Sequence, residues 1–177
     1  MQIFSSQLLM AVDDLHGVRE WTTYGTYSLK FTRRTKAKLT IVGSGQDCSR
    51  FNFMSVGYFG GSGGGYFVGQ AYLPAGTYSV VINKSVESAP DANGNTTAST
   101  HAVVFSNSSV GALITVATEI EKTSNFDYIP GTIEHEEQGN FPAYGSNQGG
   151  TSLYNGYGKG ADAQAHNNTS GYFKIEW

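Results

Sequence analysis

Several residue groups in this chain have types and spacings that could carry chemistry. Gly60-Gly61-Ser62-Gly63-Gly64 matches G-x-S-x-G, the spacing that presents a hydrolase serine on a strand-to-helix turn. That geometry needs a helix after the serine. Here Tyr66 to Leu73 reads as a strand, and a run of glycines satisfies the pattern by composition alone, so a nucleophile elbow is not expected. Glu134-His135-Glu136-Glu137 concentrates three carboxylates and an imidazole. It lacks the second histidine of H-E-x-x-H. In a strand, Glu134 and Glu136 share one face and His135 and Glu137 the other. Carboxylates with loop carbonyls suit Ca²⁺, but a solvated acidic surface is the expectation. Asp91-x-Asn93-x-Asn95 opens like a calcium loop, yet Thr96 stands where that loop needs glycine and Ala102 where it needs glutamate, so it reads as a hairpin tip. Gly156-Tyr157-Gly158-Lys159-Gly160-Ala161 has G-x-G-x-x-A spacing without a preceding strand or following helix, which leaves a loop rather than a phosphate cradle. Cys48 lies in a polar stretch with no histidine at a recognisable spacing. Neither a catalytic thiol nor an internal disulfide is expected, and no metal or cofactor.

Two further groups are suited to binding. Arg33, Arg34 and Lys36, with Lys38, Lys30 and Arg19 nearby, hold six of the eleven cations. They read as a solvated hairpin end or as a contact with an acidic surface on a neighbouring subunit, including Glu134 to Glu137 of an adjacent copy. Tyr144, Asn147, Gln148, Tyr154, Asn155, Tyr157, Asp162, Gln164, His166 and Asn167 mix aromatic faces with amides and a carboxylate. Aromatic faces cover the C–H patches of sugars and amides take their hydroxyls. Tyrosine, glycine and asparagine also dominate antibody paratopes, as stiff amphipathic area beside adaptable hydrogen bonds. The alternative is that these tyrosines cover the edge of a sheet.

Composition limits what can position these groups. The chain has 177 residues and one cysteine, a length for one domain, with or without a small appendage. Its 23 glycines are nearly twice the usual share of about 7%, and its 14% of charged residues fall well under the usual 25% or so. Helical bundles are excluded by that balance, and disorder by the 13% of aromatic residues. A net charge of −3 disfavours nucleic acid. No run approaches the roughly 20 apolar residues of a membrane-spanning helix, and the apolar patch Leu8 to Val12 lacks the preceding cations of a signal peptide.

Period-two alternation marks the strands. Tyr27, Leu29 and Phe31 form one dry face, and Ala37, Leu39 and Ile41 another. Tyr78, Val80 and Ile82, then His101, Val103 and Phe105, then Ala112, Ile114 and Val116 follow. Phe173, Ile175 and Trp177 end the chain. Pro74-Ala75-Gly76 is a turn, and Asn93-Gly94 supplies positive φ to a longer one. Ahead of these, Ser5 or Ser6 could cap a short helix carrying Leu8, Val12 and Leu15, ending near Gly17. Ten glycines lie between Gly43 and Gly76 and nine between Gly131 and Gly171. Such runs cost backbone entropy and must be ordered by something else or stay mobile. From Ser124 to Gly171 periodicity is weak, which predicts a long irregular loop region decorated with tyrosine.

In order, the chain offers Trp21-Thr22-Thr23-Tyr24-Gly25-Thr26-Tyr27, then Lys38-Leu39-Thr40-Ile41-Val42-Gly43-Ser44-Gly45, then Gly64-Gly65-Tyr66-Phe67-Val68-Gly69. Pro74-Ala75-Gly76-Thr77-Tyr78-Ser79-Val80 follows, and Ser170-Gly171-Tyr172-Phe173-Lys174-Ile175-Glu176-Trp177 closes it. This order resembles the glycine-rich domains of bacteriophage tail-fibre and minor structural proteins over most of residues 21–177. The resemblance implies a virion surface protein, often trimeric, placed where a particle meets its host. The chain departs from the family where Arg33-Arg34-Thr35-Lys36 replaces a Pro-x-Gly turn and Gln46 to Val56 replaces poly-glycine. The second glycine-rich region is also diluted with Asn, Gln and Tyr. These departures argue against a packed poly-glycine array.

The expected fold is all-β, a β-sandwich or jelly roll over residues 21–177 with long Gly/Tyr-rich loops. Residues 1–20 form a short N-terminal helix or arm for attachment or oligomerisation. The expected function is non-enzymatic: a tail-fibre-like virion structural protein that exposes its loops for host-surface attachment by multivalent weak binding. Its partners would be other virion proteins, copies of itself in a trimer, and a host cell-surface glycan or protein, without nucleic acid or membrane insertion. The alternatives are a capsid decoration or head-fibre protein, and a secreted carbohydrate-binding protein or enzyme.

Overall fold

A computed structural model describes residues 11–12, 16–53, 55–99, 101–124, 131–142 and 148–177. The chain is essentially all-β. Its strands are β1 (Ala11–Val12), β2 (Val18–Trp21), β3 (Gly25–Phe31), β4 (Thr35–Val42), β5 (Ser49–Phe53), β6 (Ser55–Phe59), β7 (Tyr66–Leu73), β8 (Gly76–Ile82), β9 (Val103–Asn107), β10 (Gly111–Val116), β11 (Ile120–Lys122), β12 (Gly131–Glu137) and β13 (Tyr172–Glu176). One sheet runs β1-β3-β8-β9-β10-β11 and the other β12-β7-β4-β13-β2; β5 and β6 pair as a separate hairpin. All pairings are antiparallel except β1 with β3.

The alternation places one residue in two on the inner faces. Leu29, Phe31, Tyr78, Val80, Ile82, Val103 and Phe105 from the first sheet meet Leu39, Ile41, Phe67, Leu73, Phe173 and Ile175 from the second in a single core. The rings of Phe105 and Phe173 touch across it, with centroids 5.2 Å apart. In β10 the register shifts between Ala112 and Ile114. This bulge turns both Leu113 and Ile114 inward, so the expected alternation breaks there.

The amino-terminal segment differs from the expected helix. Ala11 and Val12 pair in parallel with Lys30 and Phe31; Ser5 to Leu9 and Leu15 lie outside the described residues. Three apolar residues give a short helix little to bury, whereas the edge of β3 offers unpaired backbone groups to a passing strand. β2 pairs with β13 and spans the expected arm–domain boundary at residue 20. Gly17 and Trp177 exchange both backbone hydrogen bonds, at 2.7 and 2.9 Å.

At one end of the sandwich, where β4 finishes and β7 and β13 begin, the glycine-rich segments run side by side. Gly61 and Gly64 donate to the carbonyls of Ala161 and Gly158 at 2.8 and 2.7 Å. The carbonyls of Ser62 and Gly65 accept from Gln46 and Gly43, each at 2.9 Å. Gly63 donates to the Asn140 carbonyl at 3.0 Å, and Gly150 donates to that of Gly61 at 2.7 Å. Residues three apart therefore meet the same neighbour. That is the period of an extended polyproline-type helix, not the period of two that a strand shows. A Cβ on Gly45 would lie 1.7 Å from the Lys159 carbonyl oxygen, and one on Gly64 2.0 Å from that of Gly43. Backbone fills the space where a side chain would go, as at the axis of collagen.

This array corrects two expectations. The glycine segments are packed, although Gln46 to Val56 and the diluted second block argued otherwise, because the partners are five separate short stretches rather than one long repeat. The region from Ser124 to Gly171 also contains β12, and its segments 139–140, 149–151 and 158–161 belong to the array. The amides of Gly139, Gly150, Gly158, Gly160 and Ala161 donate to neighbouring backbone carbonyls, and those of Gly149, Thr151 and Lys159 to side chains.

Candidate functional site

Those of the sequence-predicted binding residues that are described are held by the array in separate small structures. Tyr144 and Asn147 lie outside the described residues. Tyr154-Asn155-Gly156-Tyr157 is a tight turn: Asn155 and Gly156 have φ of 48° and 83°, and Tyr157 donates to the Tyr154 carbonyl at 2.9 Å. Positive φ at both central residues is what Asn-Gly tolerates in a two-residue hairpin. The flanking rings fold back onto the second sheet. Tyr154 stacks on Tyr66 at 5.1 Å and leans on Tyr172 at the same distance. Tyr157 contacts Tyr172 at 5.0 Å, and Tyr66 contacts His135 at 4.8 Å. Burial pushes the Tyr172 and Tyr66 hydroxyls above the usual phenol range, with Tyr154 adding to both effects. Tyr154 and Tyr157 therefore cover the sheet, and Asn155 stands exposed between them.

Asp162 is the clamp of the next loop. It accepts from the Gly149 amide at 3.0 Å, from Lys159 Nζ at 3.1 Å and from Asn167 Nδ2 at 2.8 Å. The Asp162 amide donates back to Asn167 Oδ1 at 2.7 Å. These bonds, that from Asn167 foremost, lower its pKa from 3.8 to about 2. A depressed folded-state value means that the carboxylate's contribution is complete above 3.8 and is lost as pH falls toward about 2. The Gly149 amide proton is expected to titrate by NMR with a midpoint close to the lower value, and Asp162→Asn to abolish the titration; a midpoint at the higher value would show that the clamp is not formed. Gln148 and Gln164 are exposed on the same region, Gln164 with φ of 64°.

His166 is exposed and also adopts positive φ, at 48°. Its Nδ1 lies 3.0 Å from Asp47 Oδ1 and 3.5 Å from Cys48 Sγ, while its Nε2 lies 3.6 Å from Glu87 Oε2. Asp47 is buried and fixed on both oxygens, accepting from the Cys48 amide at 2.8 Å and the Glu87 amide at 3.1 Å. The Cys48 thiol is fully buried, and burial raises its pKa. Local sequence carries no sign of this grouping, since Cys48 and His166 are 118 residues apart. No histidine stands at a recognisable spacing from Cys48 in the sequence, and His166 lies against it because the array fixes both their segments. The imidazole nitrogen facing the thiol also faces the Asp47 carboxylate, and burial favours the neutral thiol over the thiolate that a nucleophile needs.

The basic strip sits at the β3–β4 turn. Arg33, Arg34 and Lys36 are exposed and border a cleft of about 560 Å³ with His16, Gln70 and Trp177. The Arg34 guanidinium lies over the Tyr72 ring at 5.1 Å. Lys38 pairs with Glu134 of the same chain at 2.6 Å, so the strip and the acidic strand meet within one molecule at that point. This pairing raises the Lys38 pKa and lowers that of Glu134, which also accepts from Gln70. A bulge between Ile133 and His135 brings Glu134 and His135 to the same face, against the simple alternation. Glu136 pairs with Lys122.

The remaining motifs have structural roles. Ser62 is buried in the array and is followed by β7. The Asp91 carboxylate accepts from the Asn93 and Asn95 amides, each at 2.8 Å, closing the hairpin tip. No helix among the described residues is long and apolar enough to cross a membrane. No family model matches this chain, and no curated protein or solved structure matches it.

Proposed function

We propose that the chain is a non-enzymatic attachment module of a bacteriophage virion surface, tail-fibre-like, that presents polar loop tips to a host cell-surface glycan or protein. The observation that carries this reading is the glycine array. It anchors long, irregular, polar segments through backbone hydrogen bonds, leaving the side chains of Gln148, Asn155 and Gln164 at the surface. Loops ordered before contact lose less freedom on binding, which favours recognition by weak polar contacts. Several copies on one particle, together with other virion proteins, raise avidity without new contacts. Arg33, Arg34 and Lys36 are the proposed contact between copies in a trimer.

The test uses the full chain displayed multivalently on beads and a panel of bacterial cells. Beads carrying the wild-type chain should bind at least one surface, and the triple variant Gln148→Ala, Asn155→Gly, Gln164→Ala, in which glycine keeps the positive φ of position 155, should reduce capture about tenfold or more at unchanged thermal stability. Equal capture by the variant, or no capture by either, would sink the reading. Removing residues 141–168 is not a usable control, because that cut deletes two segments of the array.

A further inference from the structure

We propose that Asp47, Cys48 and His166 form a zinc site that ties the 162–168 loop to the segment leaving the array at residue 46. Among the described residues this is the one place where three side chains of metal-binding type bring their donor atoms within 4.8 Å of one another. The inference is independent of the attachment reading.

The donor set selects the ion. A thiol, an imidazole and a single carboxylate oxygen suit a borderline-soft divalent cation, whereas Ca²⁺ and Mg²⁺ take oxygen ligands. Spacing agrees. Zinc holds sulfur at about 2.3 Å and imidazole nitrogen at about 2.0–2.1 Å, so two such ligands in a tetrahedron stand about 3.5 Å apart. Cys48 Sγ and His166 Nδ1 are separated by 3.5 Å. The Asp47 Oδ1–His166 Nδ1 distance of 3.0 Å is close to the roughly 3.3 Å of an oxygen–nitrogen edge in the same tetrahedron.

The surroundings are those of a supported site. Histidine ligands commonly turn their second ring nitrogen to a carboxylate, which fixes the tautomer. With the ion on Nδ1, the Nε2 proton of His166 faces Glu87 Oε2 at 3.6 Å. Asp47 is oriented by the Cys48 and Glu87 amides. Ser85 Oγ accepts from the Asp47 amide at 3.0 Å and so fixes its backbone as well. Positive φ at Gln164 and His166 is unfavourable for residues with a Cβ, and it is the conformation in which His166 reaches Cys48. Glu87, Gln164 and His166 border a polar cleft of about 360 Å³, which gives an ion a route in from solvent. On binding, the Cys48 proton leaves to solvent and the thiolate takes the ion. Three protein ligands leave the fourth tetrahedral position to water.

The experiment uses the full-length chain without a histidine tag, stripped with a chelator and titrated with Zn²⁺ against a chromophoric competitor, then with Co²⁺. One ion per chain is expected, with a thiolate-to-cobalt charge-transfer band in the near ultraviolet. Zinc at about 100 times its Kd should raise Tm by about 5–10 °C. Cys48→Ser should lose the band, and His166→Ala should weaken zinc binding at least tenfold and abolish the zinc-dependent rise in Tm. The proposal fails if the wild-type chain takes up no zinc, if cobalt binds without the sulfur band, or if His166→Ala binds zinc as tightly as wild type.

Discussion

Gly61→Ala is expected to destabilise the chain by about 3 kcal/mol or more, enough to leave little folded protein at moderate urea. The added methyl would lie 1.9 Å from the Gln46 carbonyl oxygen and 2.5 Å from that of Asp47. Both are backbone atoms, and Gln46 and Gly61 are themselves bonded to other segments of the array, so relief would require several segments to move together. Gly156→Ala provides the contrast. Its φ of 83° strains an alanine, but no atom lies within 4 Å of the new methyl, so the cost is only that of a left-handed residue, about 1–2 kcal/mol. Urea midpoints of the two variants separate steric exclusion from backbone strain. Equal midpoints would mean that the array is not close-packed around Gly61.

The second large effect belongs to the sandwich. Phe173 is fully buried and touches Phe105 and Trp21. Phe173→Ala should cost about 3–5 kcal/mol, which in a chain of this length lowers Tm by roughly 10 °C or more. A double-mutant cycle with Phe105→Ala should return a coupling of about 0.5–1.5 kcal/mol for the ring pair. Phe141, 65% exposed, should change stability by less than about 0.5 kcal/mol on the same substitution. If Phe141→Ala matched Phe173→Ala, the assignment of inner and outer positions would be wrong.

The strands were legible where one face is dry and the other wet. Tyr27 to Phe31, Ala37 to Ile41 and Tyr78 to Ile82 announce their buried sides by period alone, and β7 runs over the predicted Tyr66–Leu73. The β5–β6 hairpin gave no such signal, because none of its described side chains joins the main core: Phe51 is 44% exposed and Arg50 and Asn52 flank it. In β10 the bulge places Leu113 beside Ile114 in the interior, and a period count has no means of announcing an extra residue. The array was illegible for a different reason. Glycine carries no polarity pattern, and the bonding partners of Gly61 lie at Gly150 and Ala161, far along the chain. The same distance hid the Asp47–Cys48–His166 grouping, whose members are ordinary in their local contexts. Asp162 reads in the sequence as a polar loop residue, but its role as an internal clamp depends on Gly149 and Asn167 being brought to it.

A repeat of three without side chains has ambiguous phase. If the 61–65 segment slid by one repeat along its neighbours, Gly64 would occupy the place of Gly61 with much of the lateral backbone bonding regained. Hydrogen bonds between glycine backbones therefore hold the segments together without specifying alignment. That task falls to a few polar side chains acting as pawls on a ratchet. Gln46 Oε1 accepts from the Ser62 amide, Asn140 Oδ1 from Thr151, Ser44 Oγ from Gly171 and Asp162 from Gly149, while Asn168 Nδ2 donates to the Gly45 carbonyl. A chain built this way can vary its exposed turns freely between the glycines, provided that these five side chains keep the count.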